Sequence, residues 1–177
     1  MASGVAGLLE QADRSTRTLA AQLAPAVLSE VGLLPALEWL AEEIKRMFGL
    51  AVAIEDDGLH KPLSQEARSI IYRAVRELLI NVSKHAKVVA ASVAIRRLGD
   101  QLIVAVVDQG VGLDSSLTAP KRGGLVSLRE RLSLIGGTLD LQRTASDYTL
   151  ATLAVPLTGS DSANPEHGLA ENRARDS

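Results

Sequence analysis

The 177-residue sequence contains no cysteine, and phenylalanine, tryptophan and tyrosine together make up only 2% of it. Without cysteine, the chain has no disulfide, no catalytic thiol and no cysteine-ligated metal or iron–sulfur site. With so few aromatic residues, its core must be built from aliphatic side chains, mainly alanine, leucine and valine.

The sequence also lacks a strong net charge and a long apolar run. Its formal net charge is −2, so no basic field favours nucleic acid or an anionic membrane. The N-terminus has no basic segment followed by an apolar one, as a signal peptide would. Charged residues, proline or glycine interrupt every apolar stretch before it could span a bilayer. We therefore expect a cytoplasmic globular protein that binds no nucleic acid and makes no direct membrane contact.

The length suits one domain with appendages at both ends. Residues 1–25 read as an amphipathic helix that Pro25 ends. Its apolar stripe consists of Val5, Leu8, Leu9, Ala12, Leu19 and Leu23. Such a helix cannot bury its stripe alone and needs a partner helix from this chain or another. Residues 26–158 form the predicted domain, and the polar residues 159–177 are predicted to be disordered.

Apolar periodicity predicts the order helix, strand, long helix, strand, strand, glycine loop, helix, strand, strand within this domain. The predicted strands are residues 50–54, 89–96, 102–107, 138–142 and 149–155. Strands joined by hairpins give a mixed, mostly antiparallel sheet, and the helices must cover one of its faces. The predicted fold class is therefore α+β, a two-layer α/β sandwich preceded by an N-terminal helix.

The long helix, predicted to run from Ser64 as N-cap to about residue 86, carries an unusual polar group. Glu77, Asn81, Lys84 and His85 lie three or four residues apart, so they share one side of the helix. An apolar stripe occupies another side. Taken alone, the four polar residues also fit a solvated face with intrahelical pairs.

A glycine-rich loop follows the third predicted strand, where Asp108 ends an apolar run. A carboxylate at this position can accept a hydrogen bond from an exocyclic amine. Gly110 and Gly112 would let a flat ring or a phosphate approach the backbone. An ordinary Asp-plus-Gly turn explains these residues equally well when they are considered alone.

A second glycine pair, Gly123-Gly124, opens the next helix. Free N–H groups at a helix start attract phosphate, and Lys121 and Arg122 add positive charge in front of them. A flexible loop before an uncapped helix is the alternative. Two glycine loops flanking one helix indicate a nucleotide cleft, although neither the P-loop nor the Rossmann pattern is present.

Several segments resemble, in order and spacing, parts of the two-component sensor histidine kinases of the nitrate/nitrite-sensor-type branch. They are residues 23–28 and 32–37 (the segment joining the dimerisation hairpin to the ATP-binding domain), 77–86 (the N box), 108–112 (the first glycine box), and 124–131 with 135–137 (the second glycine box and its helix). Together they cover about residues 19–157.

The resemblance implies the Bergerat ATP-binding fold of the GHKL superfamily, with ATP and magnesium as cofactors. Asp108 would hold the adenine amino group, with Thr149 near the adenine. Asn81 would bind the magnesium that bridges the phosphates, and Glu77 would orient or deprotonate at the reaction centre. Residues 115–122 would form a lid. The other implied ATP-binding residues are Lys84, His85, Gly110, Gly112, Lys121, Arg122, Gly124 and Leu125.

The chain departs from the family pattern at a few positions. Tyr148 stands where the last box usually has glycine, Ala24 where the linker usually has arginine, and Ser29 where it often has aspartate. None of the three histidines, at positions 60, 85 and 167, fits the phosphoacceptor position. The first 25 residues resemble only the second half of the dimerisation hairpin.

The leading hypothesis is the ATP-binding catalytic domain of a sensor histidine kinase, itself cytoplasmic or the cytoplasmic part of a membrane-bound sensor. It would donate the ATP γ-phosphoryl group to a histidine absent from this chain. The implied partners are a response-regulator receiver domain and the dimerisation and phosphoacceptor domain of the same or another kinase, with a homodimer through the N-terminal helix as a further option. The alternatives are a non-catalytic adapter with a degenerate pocket and a serine kinase of the anti-sigma-factor type.

Overall fold

The computed structural model describes residues 28, 30–108, 110, 124–143 and 148–158. The predicted N-terminal helix and the predicted disordered tail lie outside this part of the chain. The helices are α1 (Leu33–Phe48), α2 (Gln65–Asn81), which continues as a π-helical turn (Val82–Ala86), and α3 (Gly124–Ser133). The strands are β1 (Ala51–Asp56), β2 (Ala90–Leu98), β3 (Gln101–Asp108), β4 (Thr138–Arg143) and β5 (Thr149–Pro156).

The described strands form one sheet in the order β1-β2-β3-β5-β4. β1 and β2 are parallel, and α2 lies between them in sequence because parallel neighbours need a crossover connection. The other three pairs are antiparallel. The prediction of a mixed, mostly antiparallel sheet is confirmed, and the nearly continuous apolar strand β3 is its central strand.

Burial alternates along the strands, so one face of the sheet packs against the helices and the other is partly exposed to solvent. On β3, Leu102, Val104 and Val106 are buried, whereas the residues between them are half-buried. The helices pack on the buried face: α1 contacts β1, α2 contacts β3 and β5, and α3 contacts β4. The two-layer α/β sandwich is confirmed, and its core is aliphatic apart from Tyr72.

The ends of α2 and α3 follow from their end residues. The Ser64 hydroxyl accepts a hydrogen bond from the Ala67 N–H at 3.0 Å, which confirms the predicted N-cap of α2. After α3, Gly136 adopts a φ of +69° and Gly137 donates to the Leu132 carbonyl oxygen at 2.8 Å. This pattern is a Schellman motif, which needs a residue without a Cβ strain penalty at Gly136.

Two local predictions were wrong. The last turn of the long helix, over residues 82–86, is π-helical rather than α-helical. The strand predicted over residues 89–96 begins one residue later, at Ala90, and Val89 is 79% exposed. None of the described helices is both long and apolar enough to cross a lipid bilayer.

Tyr72 on α2 is only 2% exposed, and its hydroxyl has no hydrogen-bond partner within the described residues. Burial raises the pKa of Tyr72 to about 12, with Arg76 opposing and Glu43 adding to the shift. Because the folded state holds the phenol proton more tightly than the unfolded state, this contribution to stability is complete below about pH 10 and is lost as the pH rises toward 12.

We expect Tyr72→Phe to raise the free energy of unfolding by roughly 1 kcal/mol at neutral pH, because it removes a buried polar group without a partner. The variant should also lose less stability than the parent above about pH 10. Urea unfolding at neutral and at alkaline pH measures this. A destabilised variant would show that the hydroxyl has a partner, such as a buried water.

A group of charged side chains fixes the loop after β1. The Lys61 ammonium donates to Asp56 Oδ1 at 2.6 Å and to Asp57 Oδ1. The Arg97 backbone N–H, on β2, donates to Asp57 Oδ2 at 2.6 Å. The Lys61 ammonium and the Arg97 N–H hold the pKa of Asp57 at about 2, below its ordinary 3.8.

We expect Asp57→Asn to reduce the loss of stability in acid. Because the folded-state pKa is depressed, the contribution of Asp57 is complete above about pH 4 and is lost as the pH falls toward 2. The measurement is the urea midpoint at about pH 5 and about pH 2.5, with the exposed Asp100→Asn as the matched control. An equal fall of the urea midpoint in the parent and in Asp57→Asn would contradict the prediction.

Candidate nucleotide-binding site

A narrow cavity lies between α2 with its π-helical turn and the sheet. Its volume is about 20 Å³, roughly the space that one water molecule needs. The lining residues are Leu78, Asn81, Val82, His85, Ala86, Val106, Asp108, Leu141, Thr149 and Ala151. Four predicted site residues from three separate parts of the sequence thus line one cavity: Asn81, His85, Asp108 and Thr149.

Strand register brings Asp108 and Thr149 together. Asp108, the last residue of β3, is paired with Thr149, the first residue of β5. Each is only 4% exposed, and these are the two buried polar or charged residues among those described. The Thr149 hydroxyl is buried and has no hydrogen-bond partner within the described residues. Buried polar groups are almost always paired, so this pair suits a ligand that both donates and accepts hydrogen bonds.

Asn81 and His85 approach the cavity from the helical layer. Asn81 is the last residue of α2 and is half-buried, whereas His85 lies in the π-helical turn and its side chain is exposed beyond the cavity wall. Irregular π-helical turns are frequent at functional sites. A carboxamide and an imidazole at this edge could contact the polar end of a ligand whose apolar part enters the cavity.

The other predicted residues take different positions. Glu77, one turn before Asn81, is half-buried, and Lys84 is exposed; neither lines the cavity. Gly124 begins α3, and Leu125 is 6% exposed, packed in the core rather than against the cavity. The predictions for Gly112, Lys121, Arg122 and the lid over residues 115–122 lie outside the described residues.

Gly110 connects the glycine loop to the helical layer. Its N–H donates to Asp108 Oδ1 at 2.9 Å, and this bond orients the carboxylate. A Cβ at this position would lie 2.5 Å from the Ala86 Cβ and 2.8 Å from its Cα. The loop and the π-helical turn therefore touch at a place where only glycine fits.

Tyr148, which stands where the family pattern has glycine, does not narrow the cavity. It precedes β5, is 37% exposed and is not among the lining residues. Its neighbour Thr149 points to the cavity because successive side chains of an extended segment point to opposite sides.

The apolar wall of the cavity was not predicted from the sequence. Leu141 on β4 and Ala151 on β5 contribute to it, and both lie on the buried face of their strands. The alternation along each strand could have placed them on that face. Their proximity to Asp108 depends on the strand order, which alternation does not determine.

The polar side chains at the cavity suit ATP better than a metal ion held by protein ligands alone. Thr149 and Asp108 offer a hydroxyl and a carboxylate to a base. Among the described residues, no three His, Cys, Asp or Glu side chains gather to hold a metal. Mg²⁺ commonly takes one or two protein ligands and completes its shell with substrate phosphates and water, so the Asn81 carboxamide oxygen suits it only together with a nucleotide.

Comparisons with known proteins find histidine kinases, although no family model matches the chain. It is 27% identical over 155 residues to the oxygen sensor histidine kinase NreB of Staphylococcus carnosus, covering 87% of this chain and 45% of that protein. A blue-light activated histidine kinase, EL346 of Erythrobacter litoralis, has a similar structure, with a TM-score of 0.66, 24% identity, and coverage of 85% of this chain and 51% of that one. The histidine kinase AdeS of Acinetobacter baumannii has a TM-score of 0.62 at 14% identity, over 86% and 83% of the two chains.

The chain therefore has a fold that is also present in solved histidine kinases. The sequence similarity to NreB points to the same class, the histidine kinases. The chain spans about half the length of the relatives NreB and EL346.

Proposed function

We propose that this chain is the catalytic, ATP-binding part of a two-component sensor histidine kinase, which transfers the γ-phosphoryl group of ATP to a histidine on another segment or chain. The match to NreB supports the reaction class, because that relative is named as a histidine kinase. None of the three histidines of this chain fits the acceptor, so the acceptor must come from a dimerisation and phosphoacceptor domain. A response-regulator receiver domain would then take the phosphoryl group.

The single observation that carries this proposal is the buried pair of Asp108 and Thr149 on one cavity. A buried hydroxyl without a protein partner is costly, and a carboxylate beside it is an acceptor for an amine. The adenine base presents an amine donor next to a ring-nitrogen acceptor, which complements the two side chains. The cavity is smaller than adenine, so binding requires its walls to move.

We propose the following roles for the remaining residues. Asn81 would hold Mg²⁺ against the phosphates, and the metal would neutralise charge on the transferred group. Glu77, one turn earlier on the same helix, would orient or deprotonate the acceptor. Lys84 and His85 would face the phosphates, because they are the next ionisable side chains along this helical segment.

Calorimetric titration of ATP with Mg²⁺ into the 177-residue chain tests the proposal. We expect saturable binding at millimolar or lower concentration that requires the folded chain. No binding in that range would remove the kinase proposal and favour the non-catalytic adapter. Phosphoserine appearing on a partner protein would instead favour a serine kinase.

The Thr149 hydroxyl has no partner within the described residues, and a Thr149→Val variant tests its effect on stability and on ATP binding. We expect the free energy of unfolding without nucleotide to rise by about 1 kcal/mol, because a costly buried group is removed. ATP affinity should fall about tenfold, because a hydrogen bond to the base is lost. Thr152→Val, at a half-buried position on the other face of β5, is the matched control. A variant that binds ATP as well as the parent would place the base elsewhere.

A further inference from the structure

A second and larger cavity lies on the β1 side of the molecule. Its volume is about 400 Å³. One wall is the start of α1 with the residues before it, 31–35, and the other is the loop between β1 and α2, 56–63, with Arg68 and Ile95 closing the groove. We call this the linker groove.

The linker groove displays apolar side chains to solvent. Val31 is 54% exposed and Leu59 is 55% exposed, and they line its two opposite walls. An apolar segment that packs against these two side chains would remove their apolar surface from water. The loop wall is held in place by the Lys61 contacts and by Arg97, which donates to the His60 carbonyl oxygen at 2.9 Å.

We propose that the linker groove binds the end of residues 1–27 of the same chain that lies nearest to it, through Leu19 and Leu23 of their apolar stripe. Leu28 is buried in the core, three residues before Val31 on the groove wall. A chain spans about 3.3–3.6 Å per residue when extended, so Leu23 can lie up to roughly 17 Å from Leu28. Pro25, between them, ends any helix and permits a change of direction.

The other terminal segment outside the described residues is a poorer occupant. Residues 159–177 also leave from the groove, because the Thr158 N–H donates to the Pro62 carbonyl oxygen at 2.9 Å. They contain one leucine and no valine, isoleucine or aromatic residue. The first 27 residues, by contrast, carry six apolar residues at helical spacing. A short tether also gives millimolar effective concentration, so even a weak contact would be populated.

Occupation of the groove would not block the nucleotide site. The groove lies near Ile95, towards the end of β2, whereas the cavity lies near the start of that strand, where Ala91 pairs with Asp108. Docking would instead set the direction in which the N-terminal segment leaves the ATP-binding domain. It would also compete with pairing of the same stripe in a dimer. The inference does not depend on nucleotide binding.

Cysteine cross-linking in the full chain tests the inference, since the protein has no cysteine of its own. Ala20→Cys, beside the stripe, is combined with His60→Cys in the groove or with Val89→Cys as the control. Val89 is 79% exposed and lies about 20 Å from the groove, at the other end of β2. A short bis-maleimide reagent is the probe, and circular dichroism verifies folding.

We expect the 20–60 pair to cross-link within one chain about tenfold faster than the 20–89 pair, at a rate independent of protein concentration. Adding Leu59→Glu should lower the 20–60 rate to that of the control, whereas Val89→Glu should leave it unchanged. Equal rates for the two pairs would overturn the proposal. Cross-linked dimers whose yield rises with concentration would also overturn it, because the groove would then hold a second copy.

Discussion

Gly110→Ala is expected to weaken ATP binding by about a hundredfold and to lower the free energy of unfolding by roughly 1–3 kcal/mol. The new Cβ would lie 2.5 Å from the Ala86 Cβ, so the loop or the π-helical turn must move. Movement of the loop displaces Asp108, whose carboxylate accepts from the Gly110 N–H. Movement of the turn displaces His85. Calorimetric titration measures the loss of ATP affinity, and urea unfolding measures the loss of stability.

Two further variants make this prediction specific. Gly58→Ala has open space around it but a φ of +71°, so it should cost stability by about 1 kcal/mol without affecting nucleotide binding. The double variant Gly110→Ala with Ala86→Gly removes only the Ala86 Cβ, while the Ala86 carbonyl oxygen and Cα still clash, so it should recover little stability. If Gly110→Ala retains both stability and affinity, the close contact between loop and turn is not required.

The helices and their ends could be predicted because local chemistry determines them. The apolar residues of α1 recur at helical spacing, and Gly49, with a φ of +71°, ends the helix as expected. Ser64 is followed by free N–H groups that its hydroxyl can satisfy. Such signals act over a few residues and do not depend on the rest of the fold.

The neighbourhood of the site could be predicted only in part. The glycine loop and the family resemblance indicate Asp108, and the resemblance indicates Thr149, but their pairing depends on β5 lying beside β3. Strand order arises from long-range packing, and alternation along a strand carries no information about its neighbours. The cavity walls on β4 and β5 could not be predicted from the sequence for the same reason.

The π-helical turn shows where local rules fail. The sequence pattern predicts that the α-helix continues through residue 86, yet Val82–Ala86 widens into a π-helical turn. The turn ends at Lys87, a non-glycine residue with a φ of +54°, which costs roughly 1–2 kcal/mol. Packing of Gly110 against Ala86 is the tertiary contact that accompanies this geometry.

Asp108→Asn is expected to weaken ATP binding by about 10- to 100-fold, because a hydrogen bond to a charged acceptor contributes roughly 1.5–3 kcal/mol. The substitution keeps the shape of the side chain, and Asp108 already accepts one hydrogen bond from Gly110, which a carboxamide oxygen can also accept. Stability should therefore change less than affinity. Calorimetric titration of parent and variant measures the affinities.

Inosine triphosphate, which carries a carbonyl oxygen where ATP has its amine, tests whether the carboxylate contacts the base. The carboxamide introduced by Asp108→Asn could donate to that carbonyl, so the preference for ATP over the inosine nucleotide should narrow in the variant. Asp100→Asn, at the exposed opposite end of β3, should change neither affinity. A variant whose affinity falls by the same factor for both nucleotides would indicate a displaced loop. An unchanged ATP affinity would show that Asp108 does not contact the base. Only a narrowed preference, together with weaker ATP binding, assigns Asp108 to recognition of the adenine amine.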